Sequence, residues 1–222
     1  MRLKAIGCEI LYREMCAAAA RSANQVDIEF LPKRLHDLGA AGILRRLQAA
    51  VDAVDESRYD AVALGYALCG NGTAGLEARG LPVALPRAHD CITLFLGSKE
   101  RYLQYFDSHP GVYFKTSGWI ERAPDLEPLG ADPTSNYSQL TFIEMGVEPD
   151  DRFERQTREE AARRGWAFEK VRGDLSLIER LLDARWDAED FLVVPPGWRV
   201  VARYDDGIIA AEEPNSQTPQ RV

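Results

Sequence analysis

The chain has 222 residues, 45% of them hydrophobic and 28% charged, a size and composition that build a real hydrophobic core and exclude wholesale disorder. Its 27 Lys and Arg against 35 Asp and Glu give a formal charge of −8, which argues against a long phosphate-binding face and against nucleic acid as a partner. Apolar runs all fall far short of the roughly 20 residues that span a bilayer, and Met1 leads into a strand-like LKAIG rather than a basic and then apolar leader, so a cytoplasmic protein with no membrane segment is expected.

Short apolar runs alternate with helical patterns through the first half, the signature of βαβ units. Leu3 to Ile6 reads as a first strand and LYREMCAAAARSA as an Ala-rich helix after it. Val26 to Leu31 reads as a second strand, stopped by Pro32. The segment AAGILRRLQAAVDAV then places Ile43, Leu44, Leu47, Val51 and Val54 on one helical face. YDAVALGYAL is apolar enough for a central strand buried on both sides, and CGNGTAG breaks it with glycines. LPVALP predicts a fourth strand, RAHDCITLFLGSKERYLQYF a loop and helix, and GVYFKTSGW a fifth strand.

Residues 121–134 hold Pro124, Pro128, Gly130 and Pro133 and read as a linker or lid. Beyond them NYSQLTFIEMG and DRFERQTREEAARRG are expected as helices and WAFEKVRG as a strand. LSLIERLLDARW follows as a helix capped by Asp174, and FLVVPP as a last buried strand. VVARYDDGII carries a hairpin signal at Asp206-Gly207. The expectation is a single α/β domain over 1–203, a doubly wound and mostly parallel sheet with helices on both faces, with 204–222 as a hairpin end and a frayed polar tail.

In such sheets the ligand crevice lies beyond the carboxyl ends of the strands. Cys8 and Glu9 follow the first predicted strand, His36 and Asp37 the second, and Cys69, Gly70 and Asn71 the third. Arg87, His89, Asp90 and Cys91 follow the fourth, and Ser117 and Trp119 the fifth. If the strands are parallel, these side chains share one rim. Converging thiolate and imidazole groups select a borderline-soft metal such as zinc, with iron a second choice. The expected ligands are Cys8, Cys69 and Cys91, with His89 or His36 completing the set. Asp90 or Asp37 would orient an imidazole, and Glu9, His36 and Asp90 are candidates for catalytic proton handling. Asn71, Arg87 as a carboxylate clamp, and Trp119 as an apolar wall are candidates for substrate binding.

Each choice has a plainer reading. Free cysteines commonly fill cores, which is the expected role of Cys16 in the first predicted helix beside four alanines. Cys69 before glycines and Cys91 at a helix start also suit a nucleophilic or redox thiol without metal. The glycines at 70, 72 and 75 match neither phosphate-loop pattern and are explained by turns. Arg87 reads equally well as a surface charge, and Trp119 as core packing. His109 before Pro110 reads as a turn residue, and DDRFERQTREEAARR as a solvated helix face.

The segments GYALCGNGTAGL and LPRAHDCITLFLGSKERY, followed by PGVYFKTSGW, GDLSLIERLL and FLVVPPGW, resemble the bacterial and archaeal domain-of-unknown-function family 1638. The resemblance runs from about Leu3 to about Val200 and takes in CEILYRE and the LHD at Leu35 to Asp37. It implies company with corrinoid-dependent methyltransferase systems, hence one-carbon metabolism and a methyltransferase-system partner. Three functions compete: a metal-dependent enzyme of small molecules, an accessory protein that holds a metal or cofactor for such a partner, and a metal-free thiol redox protein.

Overall fold

The computed structural model describes residues 1–33, 35–121 and 136–213. Four strands of the main sheet run parallel. They are β1 (Arg2–Cys8), β2 (Gln25–Leu31), β3 (Ala61–Gly65) and β4 (Val83–Pro86), and the antiparallel β8 (Phe191–Val194) completes the order β2-β1-β3-β4-β8. This is a mixed α/β architecture built on a mostly parallel five-stranded sheet.

Side-chain alternation explains how that sheet is covered. Ala5 pairs with Ala63 and Ala63 with Ala84, so a row of alanines crosses three strands. That low row shares a buried cluster with α1 (Tyr12–Arg21), α3 (Cys91–Leu96) and α7 (Ser176–Leu182) through Met15, Phe95 and Leu181. The opposite face carries Ile6, Leu64 and Leu85 and packs against Ile43 and Leu47 of α2 (Gly39–Asp52). The antiparallel hairpin β9 (Arg199–Ala202) and β10 (Ile209–Glu212) joins that second cluster through Val200 and Ile209. Glycines set the depth of α1: a β-carbon on Gly7 would fall 2.3 Å from the Met15 sulfur and one on Gly65 2.8 Å from it.

A second, three-stranded parallel sheet has the order β5-β6-β7, with β5 (Val112–Lys115), β6 (Gln139–Glu144) and β7 (Ala167–Arg172). The predicted fifth strand therefore belongs to a sheet of its own. NYSQLTFIEMG, expected as a helix, is the central strand β6. Its QLTFIE core is buried from Leu140 to Ile143, and a run that short has no periodicity to separate strand from helix. The loop-and-helix segment after β4 holds two helices, α3 and α4 (Lys99–Ser108), separated at Gly97, whose φ of +85° ends the first. Two further helices, α5 (Ser117–Glu121) and α6 (Arg152–Arg164), belong to the second half. The cap position of α7 falls on Leu175, one residue after the expected Asp174, whose carboxylate accepts the Ser176 N–H at 2.8 Å.

Of the expected linker near 121–134, Glu121 ends α5 and the rest lies outside the described residues, as does the expected tail beyond Glu213. Among the described residues no helix is long and apolar enough to cross a membrane.

Candidate functional site

The chain leaves β1 for β2 on one side and reaches β3 and then β4 on the other. Connections diverge at such a point, and a crevice opens beyond the carboxyl ends of the two central strands. Cys8 is the last residue of β1, and the segment after β3 carries Tyr66 and Cys69. These three residues, Cys91 from the start of α3 and Trp119 from α5 line one cavity of about 40 Å³. That is room for a few waters or an ion and far below the size of a small-molecule pocket.

Each cysteine is held by its own local structure. Leu68 and Cys69 donate their N–H groups to the carbonyls of Ala88 and His89, both at 2.9 Å, tying the segment after β3 to the one after β4. Cys69, Gly70 and Asn71 then take φ values of +47°, +63° and +68°, a left-handed turn. A non-glycine residue there costs about 1 kcal/mol or more. Cys91 opens α3, where the Asp90 carboxylate accepts the Ile92 N–H at 3.0 Å and the Tyr102 hydroxyl at 3.1 Å.

Burial dominates the electrostatics. Desolvation raises the Cys8 thiol, pushes Cys69 up to about 12 and lifts Cys91 well above the ordinary thiol range. The three sulfurs sense one another, since ionising any one opposes ionising the rest. The Tyr66 phenol is also raised by burial. The Cys8 thiol beside it raises it further, and the Tyr66 hydroxyl has no hydrogen-bond partner among the described residues. The Lys33 ammonium sits 5.6 Å from the Trp119 ring centroid and donates to the Trp119 carbonyl, which pins the indole. Without a cation in the cavity these thiols are protonated at neutral pH. Cys8, Cys69 and Cys91 are free, and among the described residues no group of three or more His, Cys, Asp or Glu side chains is arranged to hold a metal ion.

The other sequence candidates have separate placements. His89 is exposed and does not line the cavity. Asp90 is a helix cap whose carboxyl is raised, chiefly by burial. Glu9 accepts the Lys33 N–H at 3.2 Å, beside the rim. Asn71 is exposed on the left-handed turn. Arg87 donates to the carbonyls of Ala188 at 3.0 Å, Phe191 at 3.2 Å, Gly207 at 2.9 Å and also Ile209, so its guanidinium straps β8 and the hairpin to β4. His36 lies in the 3-10 turn Leu35–Leu38, and its side chain falls outside the described residues. Cys16, on α1, does not line the cavity.

Two residues escaped the sequence reading. Tyr66 passed as one more apolar position in a buried strand. Glu14 stands fully buried on α1, and its signal was the spacing of four from Ala18, which puts an acid on the core stripe of the helix.

The fold and the cavity together define a mixed α/β protein with a cysteine-lined crevice at its strand ends. A family model described as "Protein of unknown function (DUF1638)" matches residues 30–182, more than half of the chain, and the chain belongs to that family. The matched span holds Cys69, Cys91 and Trp119 and leaves Cys8 outside it. Among curated proteins and among solved structures, none matches the chain.

Proposed function

We propose that Cys8, Cys69 and Cys91 form a thiolate site for a soft metal ion, zinc before iron, in a doubly wound α/β fold with helices on both faces of its main sheet. The observation that carries this reading is the convergence of three cysteines from three separate strand ends on one cavity of ion size. Sulfur donors suit zinc or iron. Burial makes unpaired thiolates costly, so a bound cation would both need and stabilise them. The donor chemistry and the volume fit. The side chains would have to draw together on binding, because no ligating trio stands assembled among the described residues.

A zinc ion held by three thiolates would supply an open position that polarises an oxygen or activates a bound thiol. Around it, Glu9 would take or return a proton at the rim, and His89 would reach the fourth position only by turning inward. Asp90 fixes the start of α3 and with it the Cys91 backbone, and Trp119 excludes water.

The substrate class that suits this site is a small thiol or one-carbon donor, in keeping with the methyl-transfer company of the family resemblance. A second reading, a non-catalytic holder of a metal or cofactor for a corrinoid methyltransferase partner, is favoured by the small size of the cavity, about 40 Å³. Metal-free thiol redox chemistry is the weakest of the three, since attack requires a thiolate and these thiols are raised.

Elemental analysis of anaerobically purified protein tests the proposal beside a variant carrying Cys69→Ser and Cys91→Ser. Near-stoichiometric zinc or iron in the wild type, lost in a folded variant, supports it. Metal-free wild type that also fails to take up added zinc overturns it.

A further inference from the structure

A different group of buried polar atoms lies where the first turn of α1 meets α5. Glu14 has no exposed surface, and neither carboxylate oxygen has a hydrogen-bond partner among the described residues. Thr116 and Ser117, at the end of β5 and the start of α5, are equally buried, and their hydroxyl oxygens are orphaned in the same way. The chain brings these residues together. A β-carbon on Gly118 would fall 1.9 Å from the Ile10 carbonyl oxygen, so the backbone of α5 lies directly on that of Ile10. Ile10 lies in the 3-10 turn Glu9–Leu11 that leads into α1. Two hydrogen bonds join Arg13 of α1 to Glu121 at the end of α5, so the first turn of α1, which carries Glu14, lies beside α5.

Leaving such groups unpaired is costly, and more so for a charged one. Among the described residues no side chain hydrogen-bonds the Glu14 carboxyl. Arg13, its neighbour, is committed to Glu121 by two hydrogen bonds of 2.7 and 2.6 Å. Glu148, whose charge also bears on Glu14, spends its oxygens on the Met145 and Val147 N–H groups at 2.9 and 3.0 Å. The charges of Glu148 and Glu121 oppose ionisation of Glu14, and that of Arg13 favours it. A carboxylate with hydroxyl and carbonyl oxygens around it is an all-oxygen donor set, which selects hard cations and not the soft ions that thiolates take.

From the orphaned oxygens of Glu14, Thr116 and Ser117 at the junction of α1 and α5, we infer a second site, for a hard cation such as sodium, potassium, magnesium or calcium. The cation would tie the second sheet to the first and, through α5, would hold Trp119 over the cysteine cavity. This site is independent of any metal on the thiols.

The test is thermal unfolding of the full chain at pH 7.5 and constant ionic strength, in tetramethylammonium chloride freed of metals, with sodium, potassium, magnesium or calcium chloride titrated in. At least one of these cations should raise Tm saturably, by about 5 °C or more at a hundredfold excess over its Kd. Glu14→Gln should abolish that response. Thr116→Val and Ser117→Ala should each move its midpoint at least tenfold, and Cys69→Ser should leave it unchanged, which separates this site from the thiolate one. The inference fails if no cation raises Tm above the tetramethylammonium value, the result that ordered water alone would give, or if Glu14→Gln responds as the wild type does. Should Glu14→Gln not fold, unchanged midpoints in both hydroxyl variants overturn the inference equally.

Discussion

Cys69 should react with iodoacetamide about a thousandfold more slowly in the folded chain than in the same chain unfolded by urea. The reacting species is the thiolate. Burial moves this thiol from an ordinary value of 9.0 to about 12, and each unit removes a factor of ten from the thiolate fraction at any pH below 9. At pH 7.5 roughly 3% of an ordinary thiol is ionised, against roughly 0.003% of Cys69. The assay is isotope-coded alkylation of the full, metal-free chain, read peptide by peptide by mass spectrometry between pH 6 and pH 10. The rate should climb tenfold per pH unit across that range with no plateau. Alkylation within about tenfold of the unfolded rate at pH 7.5, or a plateau below pH 9, would refute the reasoning. A thiolate would then be stabilised in the cavity without metal, and redox or nucleophilic chemistry would displace the metal reading.

Four further outcomes follow from the same structure. Zinc added to weakly buffered protein at pH 7.5 should release about three protons per ion bound, and about two in Cys69→Ser, because raised thiols arrive protonated and bind as thiolates; a pH-indicator titration reads the count. Gly118→Ala places a methyl 1.9 Å from the Ile10 carbonyl oxygen and should cost about 1–3 kcal/mol in urea unfolding while shifting Trp119 fluorescence. Asp90→Ala removes the cap on the Ile92 N–H and should cost about 1 kcal/mol in the same assay, with zinc affinity falling as Cys91 loses its fixed start to α3. Burial holds the Glu14 carboxyl up at about 8 against an ordinary 4.5, with the Glu148 charge raising it further and Arg13 opposing. Folding in tetramethylammonium buffer therefore takes up a proton, stability falls by a few kcal/mol as pH rises from about 4.5 to 8, and Glu14→Gln should flatten that slope in urea midpoints at pH 5.5 and 8.

How much of this was legible in the residues depends on how local each signal was. Period-2 and period-3.6 patterning reports which face of one segment is apolar. It located the strands of the main sheet, the α2 stripe of Ile43, Leu47 and Val51, and the hairpin around Asp206-Gly207. The same signal says nothing about which strands pair, so GVYFKTSGW could not be told apart from a member of the main sheet. It also misread LTFI, whose four consecutive buried residues suit a central strand and a buried helix alike. The site followed the same division. A rule about strand ends was enough to gather Cys8, Cys69 and Cys91, because the parallel strands of one sheet bring their carboxyl ends to one edge whatever their order, whereas Trp119 arrives from the second sheet by way of α5. Arg87 met that rule too, yet its fork is spent on four carbonyls, two of them in a hairpin more than a hundred residues away in sequence.

What the sequence determined by itself was the inventory: an acidic chain with a core, alternating strands and helices, and chemistry-bearing side chains punctually placed after the strands. Only the tertiary structure decided that three thiols face one space of ion size, that burial keeps them protonated, and that the carboxyl of Glu14 is sealed without a partner among the described residues. Patterning is a property of neighbours along the chain. Burial, field and hydrogen-bond satisfaction are set by groups that arrive from distant elements, and those quantities exist only once the sheets have paired and the helices have closed over them.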